Sequence, residues 1–436
     1  MSLASDQTAA VIGAGPMGLA CAYKLAKAGY KVSVFEGDNR IGGMSAAFDF
    51  DGLSIERYYH FICKPDEPLF GVLKEFGLSD RLRWRTTEMG FYFDGELYRW
   101  GRPDSLLRFP HLGLIDKLRY ALHVMYTKGV SDWRALDQVE ATGWLRKWVG
   151  ERAYSVLWQR LFDLKFYEHA DQLSAAWIGT RIKRVALSRK SLFQEELGYL
   201  EGGSQVLLDA YSSRLQALGG RFVLNAPVNR VVTEGGRVTG LEAAGVTHPA
   251  GLVISTVPLK YVPRIAPDLT PGERNSIAAI ENIGVVCVLL KLKRPFTRYF
   301  WMNVNDPRLE IPGIIEYTNL NPLERTHIVY FPYYMPKTHP KWQWDDAQFI
   351  EEVKSYARLI RPEWDENDLL ATYVARYEFA QTVCKPGFFA MLPPMTTSIS
   401  GFFMADTAYY YPEDRSISES IQVGKSLAET AIRHAV

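Results

Sequence analysis

Gly13-Ala14-Gly15-Pro16-Met17-Gly18 follows the apolar run at residues 9–12 and opens a helical stretch. The first glycine permits a sharp turn, the second lets backbone approach a pyrophosphate, and the third lets helix pack on strand. Unpaired N–H groups at the helix start then face the negative charge. After Leu19, Ala20, Leu25 and Ala26 on the buried side come Gly29 and a second apolar run, Val32-Ser33-Val34-Phe35, ending at Glu36. Glu36 is the acid expected on a ribose hydroxyl. A lone glycine fingerprint also fits a loop that binds nothing, but strand, glycines, helix, second strand and acid arrive here in the order of one βαβ unit. The spacing predicts a dinucleotide site, and NAD and FAD both satisfy it.

Arg40-Ile41-Gly42-Gly43-Met44 lies just downstream. The glycine pair offers bare backbone donors and Arg40 a cation where two phosphates need neutralising; the plain alternative is a turn after a strand. The segment resembles the extended motif of the two-domain flavoproteins that include flavin amine oxidases, protoporphyrinogen oxidases, phytoene desaturases and UDP-galactopyranose mutases. The resemblance implies FAD, with Gly13, Gly15, Gly18, Glu36 and Gly37 at its nucleotide end and Arg40, Gly42, Gly43 and Met44 along pyrophosphate and ribityl chain. It also implies an α/β fold: a Rossmann-like FAD-binding domain of glutathione-reductase type built from discontinuous segments, plus an α+β substrate domain with a mixed sheet and helical cap.

Two later stretches fit that plan. Gly202-Gly203-Ser204 starts a helix through Leu207, Leu208, Tyr211 and Leu215 to Gly219-Gly220, followed by strands at residues 221–225 and 226–231. By resemblance Val228 offers its backbone to adenine. A hairpin around Glu234-Gly235-Gly236-Arg237 and a buried strand over residues 251–257 follow. Near the C-terminus, Phe402-Phe403-Met404-Ala405-Asp406 precedes a helix at about residues 418–433. Family members carry Gly-Asp where this chain has Ala405-Asp406, and Asp406 matches the carboxylate on the ribityl chain. Ser416 or Ser418 can cap the helix, whose N-terminus, with Ser418 and Ile421, would face the flavin; an ordinary capped surface helix is the alternative.

These stretches place the FAD domain at residues 1–65, 199–265 and 395–436, and the substrate domain at 66–198 and 266–394. Residues 66–198 read as largely helical, with Leu118, Leu122 and Met125, and Trp144, Leu145 and Trp148, at helical spacing. The 436 residues suit two or three domains, and a net charge of +1 gives no field to attract nucleic acid. The four cysteines are widely spaced, which argues against metal sites and disulfide frameworks. Nothing before Asp6 resembles a signal peptide, and no apolar run approaches the roughly 20 residues of a membrane span. The expectation is a cytoplasmic protein. Arg99, Arg102, Arg108, Lys117 and Arg119 lie among Leu106, Leu107, Phe109 and Leu112. By resemblance to some relatives that mix suits peripheral membrane contact and a lipidic substrate; the plain reading is a solvated helix face.

Flavin amine oxidases place a lysine on a substrate-domain strand. Alignment through Pro295-Phe296 puts Cys287 at that place, with Lys291 and Lys293 further on, which weighs against amine oxidation. Glu56-Arg57-Tyr58-Tyr59-His60-Phe61-Ile62 resembles the mutase segment in which a histidine sits by the flavin ring. His60 is therefore a catalytic candidate, and equally a satisfied structural histidine; Arg57 is an anion contact or a surface ion pair. Of Tyr409-Tyr410-Tyr411, which cannot all face one way, Tyr410 is the candidate wall of the active site; Tyr330-Phe331-Pro332-Tyr333-Tyr334 is a second wall or core packing. The leading expectation is an FAD-dependent oxidoreductase removing hydride from a large, partly apolar carbon substrate, desaturase-like or protoporphyrinogen-oxidase-like. The alternatives are a flavin mutase acting on a sugar nucleotide without net redox change, and a flavin-binding protein without turnover.

Overall fold

The computed structural model describes residues 7–434, so residues 1–6, with Asp6, lie outside the described residues. The glycine motif joins β1 (Thr8–Ile12) to α1 (Pro16–Lys27), which returns to β2 (Lys31–Phe35). β3 (Arg221–Val223), β4 (Leu252–Ser255) and β5 (Phe402–Met404) complete a five-stranded parallel sheet in the order β3-β2-β1-β4-β5. The inner strands β1 and β4 are apolar because both faces are covered. α2 (Ile417–His434) crosses α1 so closely that a Cβ on Gly424 would lie 2.3 Å from the Met17 carbonyl oxygen. The sheet draws its strands from residues 8–35, 221–255 and 402–404. The carboxyl ends of β1 and β4 open on one crevice, where ligands bind in open parallel sheets.

A second, seven-stranded mixed sheet runs in the order Leu369–Thr382, Asn282–Leu292, His327–Met335, Gly313–Glu316, Trp301–Val304, Met89–Phe93 and Glu96–Trp100. Its last two strands come from residues 66–198, which are largely helical as read but carry strands as well. That segment also holds Leu82–Thr87, Arg189–Ser191 and Gln194–Leu200, which form a separate three-stranded sheet. The overlooked signal is Asp94-Gly95, both at positive φ (51° and 79°), a hairpin turn between apolar runs.

The helix Leu114–Gly129 forms where the spacing of Leu118, Leu122 and Met125 places one. Its periodicity is real, but Leu118, Leu122 and Met125 face outward, while Lys117, His123 and Thr127 are buried. Lys117 donates to the Leu107 carbonyl (2.7 Å) and Arg119 to those of Trp148 and Lys147 (2.8 and 2.7 Å), so these cations are not the exposed face the sequence suggested.

Glu316 is 1% exposed, and its carboxyl accepts from Phe296 N–H (2.9 Å), Thr297 N–H (2.5 Å) and the Thr297 hydroxyl (3.0 Å). Burial outweighs these donors and pushes its pKa up to about 7. The folded state therefore holds the proton over a range where the unfolded chain releases it, and stability falls as pH rises from about 4.5 to about 7. Glu316→Gln is expected to flatten that part of the stability–pH curve by roughly 3 kcal/mol, measurable by urea unfolding at pH 5 and pH 8. An unchanged slope would rule Glu316 out as its source.

Candidate active site

A cleft of about 740 Å³ runs from the glycine turn to the mixed sheet. Gly15 is the N-cap of α1, with no side-chain cap and no acid in the first turn, so the first backbone donors are left for a ligand. A Cβ on Gly15 would meet nothing within 4 Å, and one on Gly13 would lie 2.9 Å from Thr256 Oγ1. Gly42 N–H donates to the Ala14 carbonyl (2.8 Å), laying the second glycine pair against the first turn. A Cβ on Gly43 would sit 3.3 Å from Gly15 Cα, so the two loops form a bare backbone cradle suited to a pyrophosphate. Glu36 accepts from the N–H groups of Ala14 (2.8 Å) and Asp38 (3.0 Å), tying the turn to the end of β2 while lining the cleft.

Gly37, Met44 and Val228 line the cleft as well. Gly18, Gly42, Arg40 and Ile421 do not. Gly18 is where α1 meets the turn, and Gly42 packs on Leu208 and Ala46. Arg40 donates to the Ala47 carbonyl (2.9 Å) away from the cleft, and Ile421 is buried against Leu19 and Ala20. In this structure Arg40 braces the loop.

Asp406 is buried at the end of β5 and accepts from the N–H groups of Leu259 and Ala408, each at 2.8 Å; burial pushes its pKa up to about 6. Ser416 accepts from Glu419 N–H (3.0 Å) and is the cap of α2, whereas Ser418, also in the cleft wall, accepts from Leu69 N–H (3.3 Å). The three tyrosines part: Tyr409 bonds the Pro393 carbonyl, Tyr411 bonds Asp137, and Tyr410 lines the cleft with its hydroxyl 2.7 Å from Ser420 Oγ.

The far end is walled by Tyr58, Tyr59, Phe61, Trp301, Tyr334 and Tyr377. His60 lines it, its Nδ1 2.5 Å from Glu56 Oε2. Glu56 is fixed in turn by Ser204 N–H (2.8 Å on Oε1), and its carbonyl accepts from the Tyr330 hydroxyl (2.7 Å). Such a carboxylate orients the ring and selects the tautomer with the proton on Nδ1, which leaves Nε2 for chemistry. Cys287 is in the wall and no lysine is; Lys291 is drawn to the Asp51 carbonyl (2.6 Å) and carboxylate (2.8 Å). Arg184 pairs with Asp66 (3.0 Å) and Arg181 with Asp414 (2.9 Å), while Arg415 bonds the Ala380 carbonyl and the Tyr334 hydroxyl.

Sequence reasoning missed Glu56, Arg181, Arg184 and Arg415. The available signal was weak: Arg181 and Arg184 stand three apart on the helix Ala175–Leu187, which puts them on one face. Glu56 ends a strand, and nothing in its spacing announces a bond to His60.

Fold and cleft together define a dinucleotide-binding protein whose parallel-sheet domain faces a large mixed sheet across the site. The chain matches the family described as flavin containing amine oxidoreductase over residues 18–409 and belongs to that family, whose cofactor is a flavin, FAD. It is 26% identical over 284 residues to 15-cis-phytoene desaturase of Synechococcus elongatus, 59% of each chain, so the match spans under two thirds of that relative. In fold it is similar to a putative protoporphyrinogen oxidase of Exiguobacterium sp. (TM-score 0.75, 18% identity, 99% of this chain and 100% of that one). It is also similar to reduced UDP-galactopyranose mutase (TM-score 0.75, 15% identity, 98% and 94%). Among the described residues no helix is long and apolar enough to cross a membrane.

Proposed function

We propose that this chain is an FAD-dependent oxidoreductase that removes hydride from a carbon centre of a large, partly apolar substrate, in the manner of a desaturase or protoporphyrinogen oxidase. The observation that carries the reading is the far end of the cleft, walled by aromatic rings and furnished with arginines. Gly13, Gly15 and Gly43 would hold the pyrophosphate, Glu36 a ribose, Val228 the adenine, and Asp406 the ribityl chain; the start of α2, with Ser418, would face the ring. FAD, when bound, supplies the hydride acceptor. The chain then has to orient the substrate, exclude water and move a proton. The aromatic wall and Tyr410 do the first two, and His60 Nε2 takes or gives the proton. On this reading the nucleotide domain, residues 1–65, 199–265 and 395–436, is of the glutathione-reductase type.

A second reading, a flavin mutase acting on a sugar nucleotide, is favoured by one observation: His60 shares its cleft with Arg57, Arg181, Arg184 and Arg415, cations fit for a diphosphate. The test is optical. Purified protein is expected to be yellow and to release FAD on heating, and a panel of reduced carotenoid precursors, porphyrinogens, amines and sugar nucleotides is then added anaerobically, before and after dithionite reduction. Bleaching by an apolar or porphyrinogen substrate supports the first reading. Turnover of a sugar nucleotide only after dithionite reduction supports the second, and bleaching by amines alone would overturn both.

A further inference from the structure

We propose that the outer face of the helix Leu114–Gly129 docks on an anionic lipid bilayer. Leu114, Ile115, Leu118, Leu122 and Met125 recur at three- and four-residue spacing and form one stripe, with Leu114 79%, Ile115 74% and Met125 70% exposed. The helix is inverted relative to a water-facing one, because Lys117, His123 and Thr127 occupy its inner side. His123 lies between Trp144 and Trp148 with neither ring nitrogen partnered, a polar group placed inward while leucines point out. Leu192 and Phe193, at the tip of a neighbouring hairpin, extend the apolar surface; Arg102 lies over Phe193, and Arg189 bonds the Gly101 carbonyl, which fixes that hairpin beside the preceding helix Pro103–Arg108. An exposed apolar face of this size marks an interaction site.

Charge chooses the occupant. Lys128 on the helix itself, Arg108 at the end of the preceding helix and Lys190 on the hairpin are exposed, cations that favour anionic headgroups, whereas a second copy of the chain would bring the same cations against themselves. Tyr126, stacked on Trp148 with ring centroids 4.6 Å apart, stands at the end of the stripe nearest Lys128, as interfacial tyrosines do. A further cavity, about 210 Å³, lies under the same helix: Tyr120 and Val124 form its outer wall, and Phe61 and Trp301 join it to the main cleft. The docked helix would therefore set that cavity at the bilayer surface, as an entry for the apolar part of a substrate. This last step rests on the proposed function; the docking does not.

The test is sedimentation of the FAD-loaded full chain with vesicles of phosphatidylcholine alone and of phosphatidylcholine with phosphatidylglycerol. The protein is expected to pellet with the anionic vesicles and several-fold less with the neutral ones. Leu118→Ser/Leu122→Ser/Met125→Ser is expected to cut pelleting at least tenfold while keeping the flavin spectrum, and Arg108→Glu/Lys190→Glu to remove the preference for anionic lipid. Protein that stays in the supernatant with both vesicles, a triple variant that still pellets, or a dimer that the triple variant splits would overturn the proposal. Vesicle binding without bleaching by any apolar substrate would sink the functional reading and leave the docking standing.

Discussion

Gly18→Ala is expected to purify without yellow colour. A Cβ at this position would lie 1.9 Å from the Gly13 carbonyl oxygen and 2.8 Å from Thr256 Oγ1, the hydroxyl that donates to the Ile12 carbonyl at the end of β1. Neither neighbour is the loose end of a flexible side chain, so α1 has to move off the sheet and carry its N-terminal donors out of line with the cradle. Overpacking by one methyl costs about 1–3 kcal/mol in ordinary cores, and contact this short belongs at or beyond the top of that range. FAD affinity is expected to fall at least about 100-fold, equivalent to about 2.7 kcal/mol. Gly71→Ala is the control: its Cβ would meet nothing within 4 Å, it lies in the helix Glu67–Phe76, and it should stay yellow and gain slightly in stability. The measurement is the ratio of flavin to protein absorbance after gel filtration with added FAD. A Gly18→Ala protein that retains one FAD per chain would mean that this packing does not set the phosphate site.

Gly18 also shows which parts of the fold were legible in the sequence. The βαβ unit was readable because two of its glycines answer local demands, Gly13 through its positive φ (100°) and Gly18 through its closeness to the Gly13 carbonyl, and local demands leave local signatures. Asp406 and Tyr410 reach the cleft for a similar reason, being fixed to the end of one strand and the turn after it. Arg40 was not legible: a cation beside two glycines suits a phosphate, but the hairpin starting at Ala47 offers its guanidinium a nearer carbonyl. The helix Leu114–Gly129 was legible, but the direction its apolar face takes was not. Periodicity reports that a helix has an apolar face, and only tertiary packing decides whether that face turns in or out. Arg181, Arg184 and Arg415 come from segments far apart in sequence, so their shared chamber is a property of the assembled fold alone.

His60→Ala is expected to leave FAD bound but to slow substrate-driven bleaching by about 10²–10⁴-fold, the range for loss of a positioned general acid or base. Glu56 makes the assignment testable without removing the imidazole. Its carboxylate accepts from Nδ1 and so keeps Nε2 as the nitrogen that can take a proton. In Glu56→Gln the amide oxygen can keep the Ser204 N–H bond, while the amide nitrogen presents a donor to Nδ1 and drives the proton to Nε2. The same ring then faces the cleft as a donor. The expected result is a slowed reaction whose pH–rate profile loses the limb belonging to the base, with little change in substrate affinity. Glu56→Gln in a His60→Ala background should add nothing, because its whole effect passes through the ring. If the two losses multiply, Glu56 acts on the site by another route, such as the start of the helix Gln205–Ala217 that its other oxygen holds. If neither substitution slows bleaching, the pair is structural, and the proton must leave through the arginine and tyrosine side of the chamber.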